Sequence, residues 1–203
     1  MSPVRLYYMP RTRSSRALWM LEEIGAPYEL TEIAGAERRS AAHRARHPLG
    51  RVPALELEDG TVMFESAAIC LQLADLQPDA GLTAPLGSSE RALIYQWVLF
   101  AMTEFEGPLF RWLGELREGT GEESASQQRF AAAATALEAA LDGHDWLVDD
   151  RFTVADVMCA SLLQGAHPRQ LLDPWPGLCA YVERSETRPA YARAAAIFDR
   201  PRR

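Results

Sequence analysis

Arg51-Val52-Pro53-Ala54-Leu55-Glu56-Leu57, Glu58-Asp59-Gly60, Thr61-Val62-Met63-Phe64 and Glu65-Ser66-Ala67 follow one another without a gap, and each group dictates a different backbone. Proline suits the first residue of a strand, where its missing N–H breaks no ladder bond. The run 54–57 therefore reads as a short strand, Glu58-Asp59-Gly60 as a reversing turn, and 61–64 as its antiparallel return. A helix begins at Glu65-Ser66. Pro53 sits where the chain turns sharply, which makes it a candidate for a cis bond. A cis bond would turn Val52 outward with its N–H and C=O free to pair with an extended peptide. The helix start beside it offers a hydroxyl and unbonded N–H groups to a carboxylate. The combination suits a small anionic peptide.

Outward from this segment, Val4–Tyr8 reads as a buried strand. Ser14 or Ser15 can cap a helix to Gly25, with Ala17, Leu18, Leu21 and Ile24 on one stripe. Tyr28–Ile33 alternates like a second strand, so the first pair is expected to be parallel with a crossover helix between them. Residues 35–46 are Arg-rich and polar, an exposed irregular helix, and 65–76 form a helix with Ile69, Leu73 and Leu76 on one face. This order predicts a mixed four-stranded sheet with helices on its faces over residues 1–77. Pro78, Gly81, Pro85 and Gly87 mark a linker, and residues 88–203 form an all-α domain. Its helices are predicted at 89–114, with a kink at Gly107-Pro108, and at 124–142, 153–164, 175–186 and 189–198. Thr153 and Asp156 have capping-box spacing, with Phe152 placed to staple it.

Composition removes several function classes. The net charge of −7 argues against a nucleic-acid footprint; the one basic run, Arg200-Pro201-Arg202-Arg203, reads as a solvated tail. All 21 basic residues are arginine, which excludes a Schiff-base lysine and a phosphate-loop lysine. Cys70, Cys159 and Cys179 are isolated in apolar surroundings and read as buried structural thiols. His43 and His47 have metal-compatible i, i+4 spacing but no third ligand, so no metal is expected. Neither a secretory leader nor a long apolar span is apparent, and a soluble, cytoplasmic protein is expected.

The chain resembles the glutathione S-transferase family. Tyr7-Tyr8-Met9-Pro10, Leu18-Trp19-Met20-Leu21-Glu22-Glu23, Pro27-Tyr28-Glu29-Leu30 and His47-Pro48-Leu49-Gly50-Arg51-Val52-Pro53 carry the likeness in the first domain, which would then be thioredoxin-like. Phe152-Thr153-Val154-Ala155-Asp156 and Thr187-Arg188-Pro189-Ala190-Tyr191 carry it in the second. The resemblance implies glutathione as co-substrate. Its thiol would be joined to a small apolar electrophile in detoxification, or used to reduce a peroxide. The same resemblance leaves room for a non-catalytic binding protein or a glutathione-dependent isomerase or dehalogenase.

It also implies roles. A thiol of pKa about 8.5 is only a few per cent ionised at neutral pH, so a hydroxyl donor and a helix N-terminus must stabilise the thiolate. Thr12 falls where serine-type members carry that hydroxyl; Ser14, nearer the helix, and Tyr8, at the strand end as in tyrosine-type members, are the alternatives. No cysteine occurs in this loop, which argues against mixed-disulfide chemistry. Val52, after which Pro53 turns the chain, resembles the residue that pairs with the cysteinyl backbone; Glu65 and Ser66 resemble the pair that holds the γ-glutamyl end; Arg51 stands near the glycyl carboxylate. Thr103-Glu104 resembles a pair contributed across a two-fold homodimer, with helix 65–76 of one chain joined to helix 89–114 of the other. Trp97, Phe100, Phe105, Phe110 and Trp112 read mostly as core, with some lining the electrophile pocket.

Overall fold

The structure is a computed structural model, and it describes residues 3–199; the basic tail lies outside the described residues. The chain divides into two compact units, one comprising residues up to Thr83 and from Thr187 onward, the other Ala84–Glu186.

The first unit is built on a four-stranded sheet of order β2-β1-β3-β4, with β1 Val4–Tyr8, β2 Tyr28–Glu32, β3 Ala54–Glu56 and β4 Val62–Phe64. β1 pairs parallel with β2 and antiparallel with β3, and β3 pairs antiparallel with β4. The mixed sheet follows from the connections. A helix joins β1 to β2, whereas β3 returns as β4 through a turn closed by Leu57 N–H donating to Thr61 C=O at 2.8 Å. The helices are α1 Ser14–Ile24, α2 Ala41–Arg46 and α3 Ser66–Leu76. Leu18, Met20 and Leu21 of α1 are fully buried, as are Ile69 and Leu73 of α3, and α1 packs on α3. Gly25 ends α1 at φ 63°, a conformation that costs glycine nothing. Neither Ser14 nor Ser15 caps α1; Arg13 occupies that position and makes no side-chain capping bond, because the Ser14 hydroxyl turns inward to accept from Met9 N–H at 3.4 Å.

The last helix differs from expectation. Pro189–Phe198 is helical, but it packs on α1 rather than within the second unit. Glu23 accepts a two-pronged ion pair from Arg188 at 2.7 and 2.8 Å, and Trp19 meets Tyr191 edge-on at 5.0 Å. The end of this helix reaches the loop before α1: Arg11, at φ 56°, donates its N–H to Phe198 C=O and its guanidinium to Asp199 C=O.

The second unit is all-helical. Its first long helix is α4 Ser89–Phe100, a π-helical segment Ala101–Glu106, and α5 Gly107–Glu118. Pro108 has no N–H for the carbonyl four residues back, and Thr103 Oγ1 bonds back to Leu99 C=O at 3.1 Å, so the irregularity falls just ahead of the proline. α6 Ala125–Ala140, α7 Val154–Ala166 and α8 Pro176–Glu186 follow, and Pro189–Phe198 is α9. α7 starts with the expected capping box of Thr153 and Asp156. The Asp156 carboxylate also accepts from Leu147 N–H at 3.1 Å and the Tyr181 hydroxyl at 2.9 Å. No helix among the described residues is long and apolar enough to cross a membrane.

Candidate functional site

In the first unit, three backbone features stand out around the β3 hairpin, the first two of them expected from the sequence. The Val52-Pro53 bond is cis. No described residue engages the Val52 N–H or C=O, while its side chain packs with Tyr7, Met9, Ile33 and Ala54. Glu65 adopts φ 73°, rare for a residue with a Cβ, and opens α3 with its own side chain exposed. Strain of this kind persists where surrounding structure over-determines it, and it clusters at ligand clamps.

The turn leading to Val52 is braced by the segment before it. Gly50 sits at φ 60°, and a Cβ there would lie 2.4 Å from the Arg38 carbonyl oxygen. Arg38 Nε donates to Gly50 C=O at 3.1 Å, Gly50 N–H to His47 C=O at 2.7 Å, and Leu49 N–H to His47 Nδ1 at 3.3 Å. His47 stacks against Phe64, and burial holds its imidazole below the usual histidine range against the upward pull of Glu65. His43 is fully buried, and its Nε2 lies 2.8 Å from Arg51 C=O. The two histidines therefore brace a turn, and among the described residues no three His, Cys, Asp or Glu side chains group as metal ligands. Arg51 itself is exposed.

At the start of α3, Ser66 is buried and its Oγ accepts from Arg16 Nη1 at 3.4 Å. Ser66 keeps its own proton for another acceptor. Arg16 is only 4% exposed, so a guanidinium is held under the very helix end that offers N–H groups. The sequence reading gave Arg16 no role. The signal it missed is that a cation in the first turn of a helix opposes the macrodipole, a placement that asks for an anion. The same charge pulls the Cys70 thiol down, but burial wins and pushes it up to about 12, so that thiol stays protonated.

In the loop between β1 and α1, the Thr12 and Ser14 hydroxyls bond within the loop itself. Thr12 Oγ1 donates to Met9 C=O at 2.7 Å and accepts from Ser14 N–H at 3.2 Å. Thr12 and Ser14 hydroxyl oxygens are 3.0 Å apart, and Ser14 Oγ accepts from Met9 N–H. With the Thr12 proton on Met9, the proton between the hydroxyls is Ser14's. Thr12 is half-buried and Ser14 buried. Tyr8 is buried too, and strand alternation puts it on the face shared with Val4 and Leu6. Ser15, passed over as a donor in the sequence, is half-exposed and its hydroxyl bonds no described residue.

Glu104 lies in the second unit, on the π-helical segment, with Arg129 Nη2 3.6 Å from its carboxylate. The pair borders a cleft of about 230 Å³ floored by Phe100, Ala132, Ala133 and Ala136. Of the aromatic side chains expected as core, Phe105 and Trp112 are buried and Phe110 is exposed.

Two family descriptions match the chain: the glutathione S-transferase N-terminal domain over residues 12–76 and its C-terminal domain over 91–189. Glutathione S-transferase GstA of Escherichia coli O157:H7 is 31% identical over 92% of this chain and 94% of its own length. A sphingomonad glutathione S-transferase complexed with glutathione superposes with a TM-score of 0.84 at 27% identity, over 97% of this chain and 100% of that one. Elongation factor 1-gamma of Artemia salina is 31% identical over 78% of this chain, but over only 37% of its own length. With a thioredoxin-like mixed-sheet unit, a helical unit and relatives matched nearly end to end, the chain belongs to the glutathione S-transferase family.

Proposed function

We propose that this chain is a glutathione transferase, which joins the glutathione thiolate to a small apolar electrophile or uses it to reduce a peroxide. The observation that carries the reading is one alignment of groups in the first unit. The unengaged Val52 backbone, the Ser66 hydroxyl with its proton available, the Glu65 carboxylate and the buried Arg16 belong to the turn into β3 and to the starts of α3 and α1. Val52 would pair with the cysteinyl backbone. Ser66, backed by Arg16, would hold the γ-glutamyl carboxylate, Glu65 its ammonium, and Arg51 the glycyl carboxylate. That leaves the thiol toward the 10–16 loop, where Thr12, with Ser14 and Tyr8 as alternatives, would stabilise the anion. Work as a cytoplasmic detoxification enzyme, and assembly as a two-fold dimer in which Glu104 reaches the partner's ligand, complete the proposal.

The test is capture on immobilised glutathione, followed by turnover with an aryl halide, an epoxide and an organic hydroperoxide. Conjugation or peroxide reduction above the uncatalysed rate is expected; binding without turnover on all three favours a second reading. That reading is a non-catalytic binding protein. The closed hydrogen-bond ring of Thr12 and Ser14 favours it, since neither hydroxyl has an idle proton, and so does the likeness to elongation factor 1-gamma.

A further inference from the structure

The peptide unit between Arg51 and Val52 is trans, Val52-Pro53 being the only cis bond among the described residues. A trans peptide is planar, and its C=O and N–H point in opposite directions. Whatever fixes the Arg51 carbonyl therefore aims the Val52 N–H. That carbonyl is held by one side chain, His43, whose Nε2 is 2.8 Å away. A carbonyl only accepts, so Nε2 carries the proton in this bond. Nδ1 is buried with no partner among the described residues, which gives the ring no competing bond that could rotate it. His43 is itself pinned: it is fully buried, and its own N–H donates to Ser40 Oγ at 3.1 Å.

We propose that His43 is the positioning residue of the glutathione site: by drawing the Arg51 carbonyl inward it turns the Val52 N–H outward, toward the peptide ligand. The inference rests on the transferase reading given above. It adds a residue from outside the binding surface, on α2, whose spacing with His47 suggests metal binding but whose bond is to backbone. Loss of the His43 donor frees the peptide plane to rotate and leaves a part-buried carbonyl without its side-chain partner. The ligand would then meet a Val52 N–H that must be reoriented on binding. Binding suffers, and the chemistry at the thiol, held from the 10–16 loop, does not.

His43→Leu keeps an apolar volume without the donor, and His43→Gln puts an amide N–H about where Nε2 lies. Both are compared with the native chain by glutathione titration calorimetry, by steady-state kinetics with an aryl halide, and by thermal melts. His43→Leu should weaken the Kd and KM for glutathione about tenfold, with kcat at saturating glutathione within about twofold of native. His43→Gln should recover most of that loss. Native affinity in His43→Leu, a glutamine variant as weak as the leucine one, or a loss confined to kcat would each overturn the role of His43. If neither variant folds, nitrogen-15 spectra of the native chain decide. The Val52 amide must shift on adding glutathione and His43 must show the Nε2–H tautomer; a silent Val52 amide or the other tautomer overturns the inference. A native chain that ignores glutathione removes the transferase reading and this inference together, which separates that failure from one of His43 alone.

Discussion

The 47–53 turn and the 9–16 loop flank the same candidate site but are held in different ways. In the turn, two backbone carbonyls are gripped from outside, Gly50 C=O by Arg38 and Arg51 C=O by His43, while Leu49 N–H donates to the His47 ring within it. In the loop, the hydroxyl bonds run from one loop residue to another, as Thr12, Ser14 and Met9 close on themselves, while its arginines reach out, Arg11 to Asp199 C=O and Arg16 to Ser66 Oγ. A turn braced from outside presents fixed backbone groups, which is what recognition of a peptide requires. A loop closed on itself can exchange one internal bond for a bond to a ligand at little net cost. On the proposed transferase reading, the contrast puts binding on the turn and α3 and activation on the loop, and it predicts that the two functions separate on mutation.

The largest effect should come from the turn. Gly50→Ala places a Cβ 2.4 Å from the Arg38 carbonyl oxygen at φ 60°. The obstacle is backbone and cannot swing aside, so a loss of about 3 kcal/mol is expected. The urea midpoint should drop with an unchanged slope. A loss under about 1 kcal/mol would mean that the turn yields as easily as the loop, and the contrast would fail.

Next comes Arg16. Arg16→Met keeps the buried volume and removes the charge under Ser66. If Arg16 backs a carboxylate, glutathione affinity should fall about 30-fold, the worth of a charge-assisted hydrogen bond. The thiol of whatever glutathione still binds should titrate as in the native chain. Unchanged affinity would reduce Arg16 to helix packing, and a shifted thiol titration would show that binding and activation are not separate.

How much of this was legible in the sequence follows the same division. Pro53 fixes φ and removes a donor, and Gly60 and Gly25 admit positive φ, whatever surrounds them, so the hairpin, the cis bond and the end of α1 could be read directly. Thr153 and Asp156 could be read too, because a capping box is local. Ser14 as a helix cap could not: a hydroxyl takes whichever partner folding brings near, and here that is Met9 N–H. Arg16 and His43 escaped for a related reason. Their partners, Ser66 and Arg51, are supplied by folding, and nothing in the local spacing announces a guanidinium under a distant helix end. The last helix was read correctly as a helix and assigned to the wrong neighbours, since amphipathicity says that a face is buried but not against what.

Thr153 supplies a reference for the hydroxyls. It is a threonine in a fixed cap, accepting from Ala155 N–H at 3.2 Å at the start of α7 and donating to Asp156 Oδ2 at 3.2 Å. Thr153→Ala should cost about 1 kcal/mol, measured from the melting curve. Its partner Asp156 adds a pH signature. Burial pushes that carboxyl up to about 6 against the pull of its hydrogen-bond donors. A folded value above the unfolded one means that the folded chain holds the extra proton. The group's contribution is then fully present below about pH 4 and is lost as pH rises through 6. Between those values Asp156→Asn should flatten the fall in stability with rising pH. An identical slope would place the titration elsewhere.

The smallest effect, and the sharpest test of the contrast, is at Thr12. Position alone suggests that removing its hydroxyl would raise the bound thiol's pKa by one to two units, the worth of a full bond to an anion. The geometry argues for less. To donate to a thiolate, Thr12 must withdraw its proton from Met9 C=O at 2.7 Å, so only the difference between the two bonds stabilises the anion. Thr12→Ala should therefore raise the thiol pKa by about half a unit, roughly threefold in the ionisation constant, with glutathione affinity unchanged. The ultraviolet absorbance of the bound thiolate, titrated in Thr12→Ala, Ser14→Ala, Ser15→Ala and Tyr8→Phe, reads this directly. A shift of two units in Thr12→Ala would show that the loop is already open in the bound state, because a hydroxyl still engaged with Met9 has no such energy to give. A shift in Ser15→Ala alone would pass the role to the hydroxyl that bonds no described residue. A shift in Tyr8→Phe alone would make this a tyrosine-type member. Silence in all four would leave the helix N-terminus as the activating group, and in a chain that also fails to turn over any electrophile it would favour the binding protein over the enzyme.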